Sequence, residues 1–285
     1  MNDPVRQHMR IALSILLPKP ICSQSQITNN HNTKSMKTKH TILAAMCGFF
    51  TVGSVFAADS ATPSIHPEAD RLLKATCANL AAAKAFSFKA EVWDDTVVAG
   101  HKVATTKTVE AQVRRPDRVR MEVQSPKRSR GFWYDGKSLT LLDRAGNLYG
   151  TVPVPDSIDK VLDAANDKYG INFPLEDLLV NDPYASASAA IKGGAYFGKV
   201  NVLGTPCEHI AFSTGRVDWQ LWIQEGPNPL PRKLVITYKQ EDTAPQFTAI
   251  FSDWKLKRVL PDKSFVFTPP KGAAKIEILP ATDTE

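Results

Sequence analysis

The chain has 285 residues, 43% hydrophobic and 22% charged, with 35 basic and 29 acidic side chains and a formal charge of +6. Residues 1–57 hold six of the basic residues and one acidic residue, Asp3, so the rest carries 29 against 28 and is close to neutral. With the basicity confined to that leading stretch, no global electrostatic case for a nucleic-acid partner remains.

From Met36 the text reads as an export signal. Lys37, Lys39 and His40 form a basic start, Thr41 to Val55 is mostly apolar, and Val55-Phe56-Ala57 offers a cleavage site before Ala58. The apolar run is too short, and its sequel too polar, for a transmembrane anchor. Met46 is too bulky before Cys47 for the usual lipid-attachment pattern. Residues 1–35 show no matching pattern, and Met36 reads as the simpler start. The expectation is an export-signal region over 1–57, then a single periplasmic domain over 58–285.

Pro67 to Ala85 has the spacing of an amphipathic helix, with Leu73, Cys77 and Leu80 on the buried side. Phe86, Phe88, Ala90 and Val92 then alternate with polar residues as a strand, Gly100-His101 turns, and 102–113 is a polar β-prone run. Residues 111–141 read as a meander. Arg115-Pro116-Asp117 breaks it, Val119, Met121 and Val123 alternate, Ser125-Pro126 breaks again, and Asp135-Gly136 closes a hairpin. Strands over 138–143 and up to Val152 follow. At Pro153 the pattern turns helical: Asp156 as N-cap with Ile158, Val161, Leu162 and Ala165, then a second helix over 174–180 (PLEDLLV), then a helical turn over 184–191. Strands return at 195–203, 207–213, 217–225, 233–240 and 246–257, with 264–268 ending the sheet. The fold class is therefore mainly β (α+β): a curved antiparallel sheet with an N-terminal helix and a helical insert at about 153–191.

Chemistry-bearing residues are sparse. After residue 57 there are three histidines, and Cys207-x-His209 is half of a metal site at best. No nucleophile elbow, phosphate loop or dinucleotide fingerprint is present. The expectation is no enzyme, no cofactor and no metal. Cys77 and Cys207 are either a possible disulfide, permitted by an oxidising compartment, or two separate buried thiols. The basic run from Arg114 to Arg130 is either a solvated strand face or a rim for an acidic partner. Aromatic residues are the fuller signal. Phe86, Phe88, Phe132, Tyr134, Trp219, Trp222, Phe251 and Trp254 lie on different strands, either as core or as the lining of an apolar ligand site. Trp219 and Trp222 fall on opposite faces of one strand, so one of them needs a cover other than the main core.

Arg115-Pro116-x-Arg118-x-Arg120-x-Glu122-x-x-x-Pro126, followed by Tyr134-Asp135-Gly136-x-x-Leu139, resembles the strand–turn–strand core of the lipoprotein-localisation-factor (LolA/LolB-like) superfamily. The stretch 218–239 (DWQLWIQEGPNPLPRKLVITYK), with FSDW at 251–254 and F-x-F-x-P-P at 265–270, is similar to a family of predicted periplasmic proteins that share this fold. The resemblance implies a half-open β-barrel covered by helices, an interior that shields acyl chains, and an arginine that holds the lid; Arg115 and Arg118 occupy the matching positions. The pair of tryptophans at 219 and 222 departs from the carriers' pattern. The expected function is a periplasmic, non-catalytic carrier or binder of a hydrophobic ligand, lipid or acyl chain. The alternative is an envelope protein-interaction module whose barrel is filled by its own side chains.

Overall fold

The computed structural model describes residues 64–281, so the expected export signal lies outside the described residues. Helix α1 (Pro67–Ala82) starts where expected: Pro67 sits in its first turn and the His66 ring accepts a hydrogen bond from Glu68 N. Its buried stripe is Ala69, Leu72, Leu73, Thr76, Cys77 and Leu80. Six strands follow as consecutive hairpins: β1 (Ala85–Val98), β2 (His101–Arg114), β3 (Arg118–Gln124), β4 (Ser129–Tyr134), β5 (Ser138–Asp143) and β6 (Leu148–Pro153). The insert gives α2 (Ile158–Tyr169) and α3 (Pro183–Ser188), and the chain returns through β7 (Gly193–Val202), β8 (Thr205–Ser213), β9 (Val217–Gln224), β10 (Pro231–Tyr238) and β11 (Gln246–Lys255). A two-residue strand, β12 (Ala274–Lys275), comes last.

All twelve strands join one sheet in the order β12-β6-β5-β4-β3-β2-β1-β11-β10-β9-β8-β7. Every pair is antiparallel except β12 with β6. β1 is the hinge of this order: it pairs with β2 on one side and β11 on the other, joining the two meanders. β7 and β12 stay at opposite edges, so the sheet is open. The mainly β, helix-covered architecture agrees with the sequence reading.

Three local expectations need correction. Ser157, not Asp156, caps α2; its hydroxyl accepts from Lys160 N. Residues 174–180 do not form a helix, only a 3-10 turn at Glu176–Leu178 entered through Leu175 in the left-handed region (φ 63°). So short a stretch, bounded by Pro174 and by the α3-initiating Pro183, cannot sustain a helix without tertiary help. Here the tertiary contacts instead pull Leu175 and Leu179 into the core. Residues 264–268 do not extend the sheet. After a 3-10 turn at Asp262–Ser264 they run across the outer face, where Phe265 is fully buried and Phe267 packs on Trp133 with centroids 4.9 Å apart. A segment lying on a face rather than along an edge finds no ladder partner.

Apolar side chains divide into two clusters on the inner face. The larger joins β1–β6, β10 and β11 to α2 and the 171–180 segment; the smaller seats α1 on β8 and β9. Trp219 and Leu234 touch both. The possible Cys77–Cys207 bridge is absent: both are buried free thiols, Cys77 within the α1 cluster and Cys207 with its Sγ donating to Thr205 O.

Candidate functional site

The inner face of the sheet is an aromatic trough, and strand register decides what enters it. Phe88, Ala90 and Val92 of β1 alternate inward beside Val109, Ala111 and Val113 of β2. On β11, Phe247, Ala249 and Phe251 do the same; strict alternation would then turn Trp254 outward. A bulge prevents this. Ser87 pairs with Lys255 and Lys89 with Ser252, leaving one extra residue on β11, and Asp253 takes φ 54°. Trp254 is thereby returned to the inner face, 4.8 Å from Phe88, 5.8 Å from Phe251 and 6.3 Å from Phe86, with Nε1 donating to Pro231 O at 2.8 Å.

Of the eight aromatic residues singled out from sequence, the structure brings Phe86, Phe88, Phe251 and Trp254 into that one group. Phe132 and Tyr134 line the same core farther along β4. Phe132 meets Phe173 of the insert at 4.9 Å, and the Tyr134 hydroxyl, whose pKa burial pushes up to about 12, donates to Pro155 O at 2.7 Å. Trp219 stands at the junction of the two clusters, 4.6 Å from Phe212.

Trp222 does not join them. It projects from the outer face, stacked on His209 at 4.2 Å and 9°, with Lys233 Nζ 4.6 Å from its ring centroid on a neighbouring strand. Its cover is therefore a cross-strand stack, because β-strand alternation separates positions 219 and 222. Burial holds His209 below its ordinary pKa, the Lys233 charge adds to this, and Gln220 opposes it at 3.1 Å. Trp222→Ala is expected to cost about 1–2 kcal/mol through the lost stack and cation–π contact, a loss that urea unfolding reads directly.

The insert closes the trough. α2 lowers Ile158, Val161, Leu162 and Ala165 onto it, and Phe173, Leu175 and Leu179 fill the remainder. Its near end is tied by Tyr134 to Pro155 O and by Ile158 N to Pro116 O. Its far end meets Arg115, whose Nη1 donates to Leu179 O at 2.6 Å and to Asn181 Oδ1 at 3.5 Å, with the guanidinium 5.4 Å from the Phe86 ring. Arg118 does not reach the insert; it pairs with Asp117 at 2.7 Å. α3 is held separately against α1 by the Tyr184 hydroxyl donating to Asp70 at 2.7 Å.

Sequence reasoning missed Phe173 and Asp177. Asp177 is an acid in a leucine run, which was the available signal. Burial pushes its carboxyl up to about 6, and Ser186 Oγ donates to it at 3.1 Å. Both thiols are raised by burial, Cys77 to about 12, so neither is a ready nucleophile. Among the described residues no group of three or more His, Cys, Asp or Glu is placed to hold a metal ion, and no helix is long and apolar enough to cross a membrane. The basic run divides between partners and turns. Arg120 and Arg144 both pair with Glu122 around Trp133, whereas Lys127 and Arg128 stand in the exposed β3–β4 turn.

An open sheet with an aromatic inner face closed by one helical insert defines a lidded α+β protein of the half-open barrel type. The chain belongs to the family described as Predicted periplasmic protein (DUF2092), whose model matches residues 69–279. That membership places the protein in the periplasm. No curated protein matches the sequence. Among solved structures, the chain is similar to LprF from Mycobacterium bovis, at 14% identity over 70% of this chain and 98% of that one, with a TM-score of 0.43. It is similar to an uncharacterized conserved protein from Thermus thermophilus, at 12% identity over 74% and 99% of the two chains, with a TM-score of 0.42. It is also similar to a LolA superfamily protein from Nitrosomonas europaea, at 11% identity over 70% and 97%, with a TM-score of 0.36.

Proposed function

We propose that the protein is a non-catalytic periplasmic binder of a hydrophobic ligand, which enters the trough by exchanging with the side chains of the insert. One observation carries this reading. The trough is lined by Phe86, Phe88, Phe132, Phe251 and Trp254 and plugged by Phe173, Leu175 and Leu179, all from a short irregular stretch of the insert. An acyl chain that replaces those side chains keeps the same aromatic surface out of water. Each buried methylene is worth about 0.8 kcal/mol, so binding needs no reactive group. The lid holds no long helix over that stretch, and Leu175 is held in a conformation that a leucine rarely adopts. Both features lower the cost of moving it.

The alternative, an envelope interaction module with a self-filled barrel, draws support from the same plugged trough. It also draws on the edge strand β7, where Phe197, Val200 and the adjacent Leu203 are exposed. Native mass spectrometry of the protein purified from a periplasm separates the two. Retention of a lipid of defined mass, or uptake of one on incubation, is the expected result. A mass that stays that of the bare chain after incubation with fatty acids and phospholipids would move the assignment to the interaction module.

A further inference from the structure

We propose that Arg115 is the anchor for an oxyanion head group, so that the ligand is an acyl chain ending in a carboxylate or a phosphate and not a neutral lipid. This rests on the reading of the trough as a ligand site and goes beyond it by naming the ligand's polar end.

Three arginines stand together at the β2–β3 turn, and two have carboxylate partners. Arg114 pairs with Asp262 and donates to Leu260 O, and Arg118 pairs with Asp117. Arg115 is different. Its Nη1 reaches Leu179 O and Asn181 Oδ1, but Nε and Nη2 are buried and, among the described residues, meet no hydrogen-bond acceptor. Asp159 is the carboxylate whose charge Arg115 feels, yet both its oxygens are taken up by Asn181, Oδ1 by the backbone N–H and Oδ2 by the side-chain amide. The guanidinium instead rests near the Phe86 ring, at the end of the trough under the insert.

An arginine carries five N–H donors and cannot shed its charge at ordinary pH. Leaving Nε and Nη2 enclosed without an acceptor is costly. Nε and Nη2 are adjacent donors on one side of the guanidinium, the pair that meets a carboxylate or phosphate through two parallel hydrogen bonds. That fork is empty while the insert occupies the trough. Nη1 is spent on Leu179 O, a backbone group of the lid itself, and on Asn181 Oδ1. A head group that engages the fork offers Arg115 a stronger acceptor than the lid carbonyl. Seating the anion and releasing the lid are thus the same exchange. A neutral alcohol can accept a single uncharged hydrogen bond here but has neither the charge nor the second oxygen, and a hydrocarbon has none of these.

The test compares three probes of one chain length on the full protein: hexadecanoate, hexadecyl phosphate and hexadecanol. Native mass spectrometry and competitive displacement of a fluorescent fatty acid give the affinities. The wild-type protein is expected to bind at least one of the anions about tenfold or more tighter than the alcohol, in line with a charge-assisted bidentate contact; which anion leads identifies the head group. Arg115→Met is expected to fold, since it removes two buried donors that have no acceptor and keeps the length of the side chain, and to bind all three probes with similar affinity. Arg115→Lys keeps the charge without the planar fork and is expected to fall between. Equal affinities for anion and alcohol in the wild type, or an anion preference that survives in Arg115→Met, would overturn the anchor while leaving the binder reading in place. Failure of all three probes to bind would overturn both.

Discussion

Phe88→Ala is expected to lower the unfolding free energy by about 3–5 kcal/mol. Phe88 is 1% exposed and touches Phe251 at 5.9 Å and Trp254 at 4.8 Å, with Phe86 at 6.5 Å. It therefore sits between the strand that joins the two meanders and the bulged strand that completes the aromatic group. Its removal leaves a void walled by three aromatic rings held on backbone that is paired on both sides. β1 is bonded to β2 along its length and to β11 over most of it, so collapse into the void is restricted and the cavity penalty persists. Urea denaturation followed by tryptophan fluorescence reads the loss as a lower midpoint at unchanged slope. A loss below about 1 kcal/mol would mean that the trough is loosely packed around Phe88. The contrast with the small effect expected for Trp222→Ala is itself informative, since the two rings lie on opposite faces of one sheet.

Asp177→Asn is expected to stabilise the protein at pH 8 and to be without effect below pH 4. Burial raises the carboxyl from an ordinary 3.8 to about 6, opposed only in part by the Ser186 hydroxyl. A group that holds its proton more tightly in the folded state contributes stability below its unfolded pKa and loses it as pH rises through the folded value. The loss therefore accrues between about pH 4 and pH 6, and a shift of this size is worth about 3 kcal/mol once complete. The Asn variant keeps the shape and a partner for Ser186 but has no charge to desolvate. The difference between wild type and variant, measured by denaturation at pH 4, 5, 6 and 8, should grow through that window and then level off. A difference that is flat across the range would show the carboxylate to be solvated.

Much of this molecule is written in local pattern. Turn residues and alternation set the strand count along the meander, because Pro116, Pro126 and Gly136 break strands wherever they fall and Val119, Met121 and Val123 can bury only one face. The α1 stripe followed from 3.6-residue spacing for the same kind of reason. Opposite projection of Trp219 and Trp222 was also legible, since a strand has a period of two with no further information needed. The family-like arginine motif pointed at the β2–β3 turn, and the basic excess of the whole chain was traceable to residues 1–57.

Other features depended on contacts between distant segments. The Asp253 bulge, which turns Trp254 inward, arises from pairing with Ser87 and Lys89 at the far end of the described chain and leaves no mark on local alternation. The PLEDLLV stretch has helical spacing, yet so short a helix is too weak to resist the core's claim on Leu175 and Leu179. The tail at 264–268 has strand-like alternation, but lies on a face where no backbone ladder is on offer. Arg115 and Arg118 read alike in sequence and separate only in space, one with Nε and Nη2 buried and lacking an acceptor among the described residues, the other paired with Asp117. Sequence by itself determined most of the strands and helices, 174–180 and 264–268 apart, because those choices rest on spacing within a few residues. Tertiary structure alone decided which side chains share the trough and which arginine is left with a fork to fill, because register, bulges and counter-ion pairing are settled by residues far away in the chain.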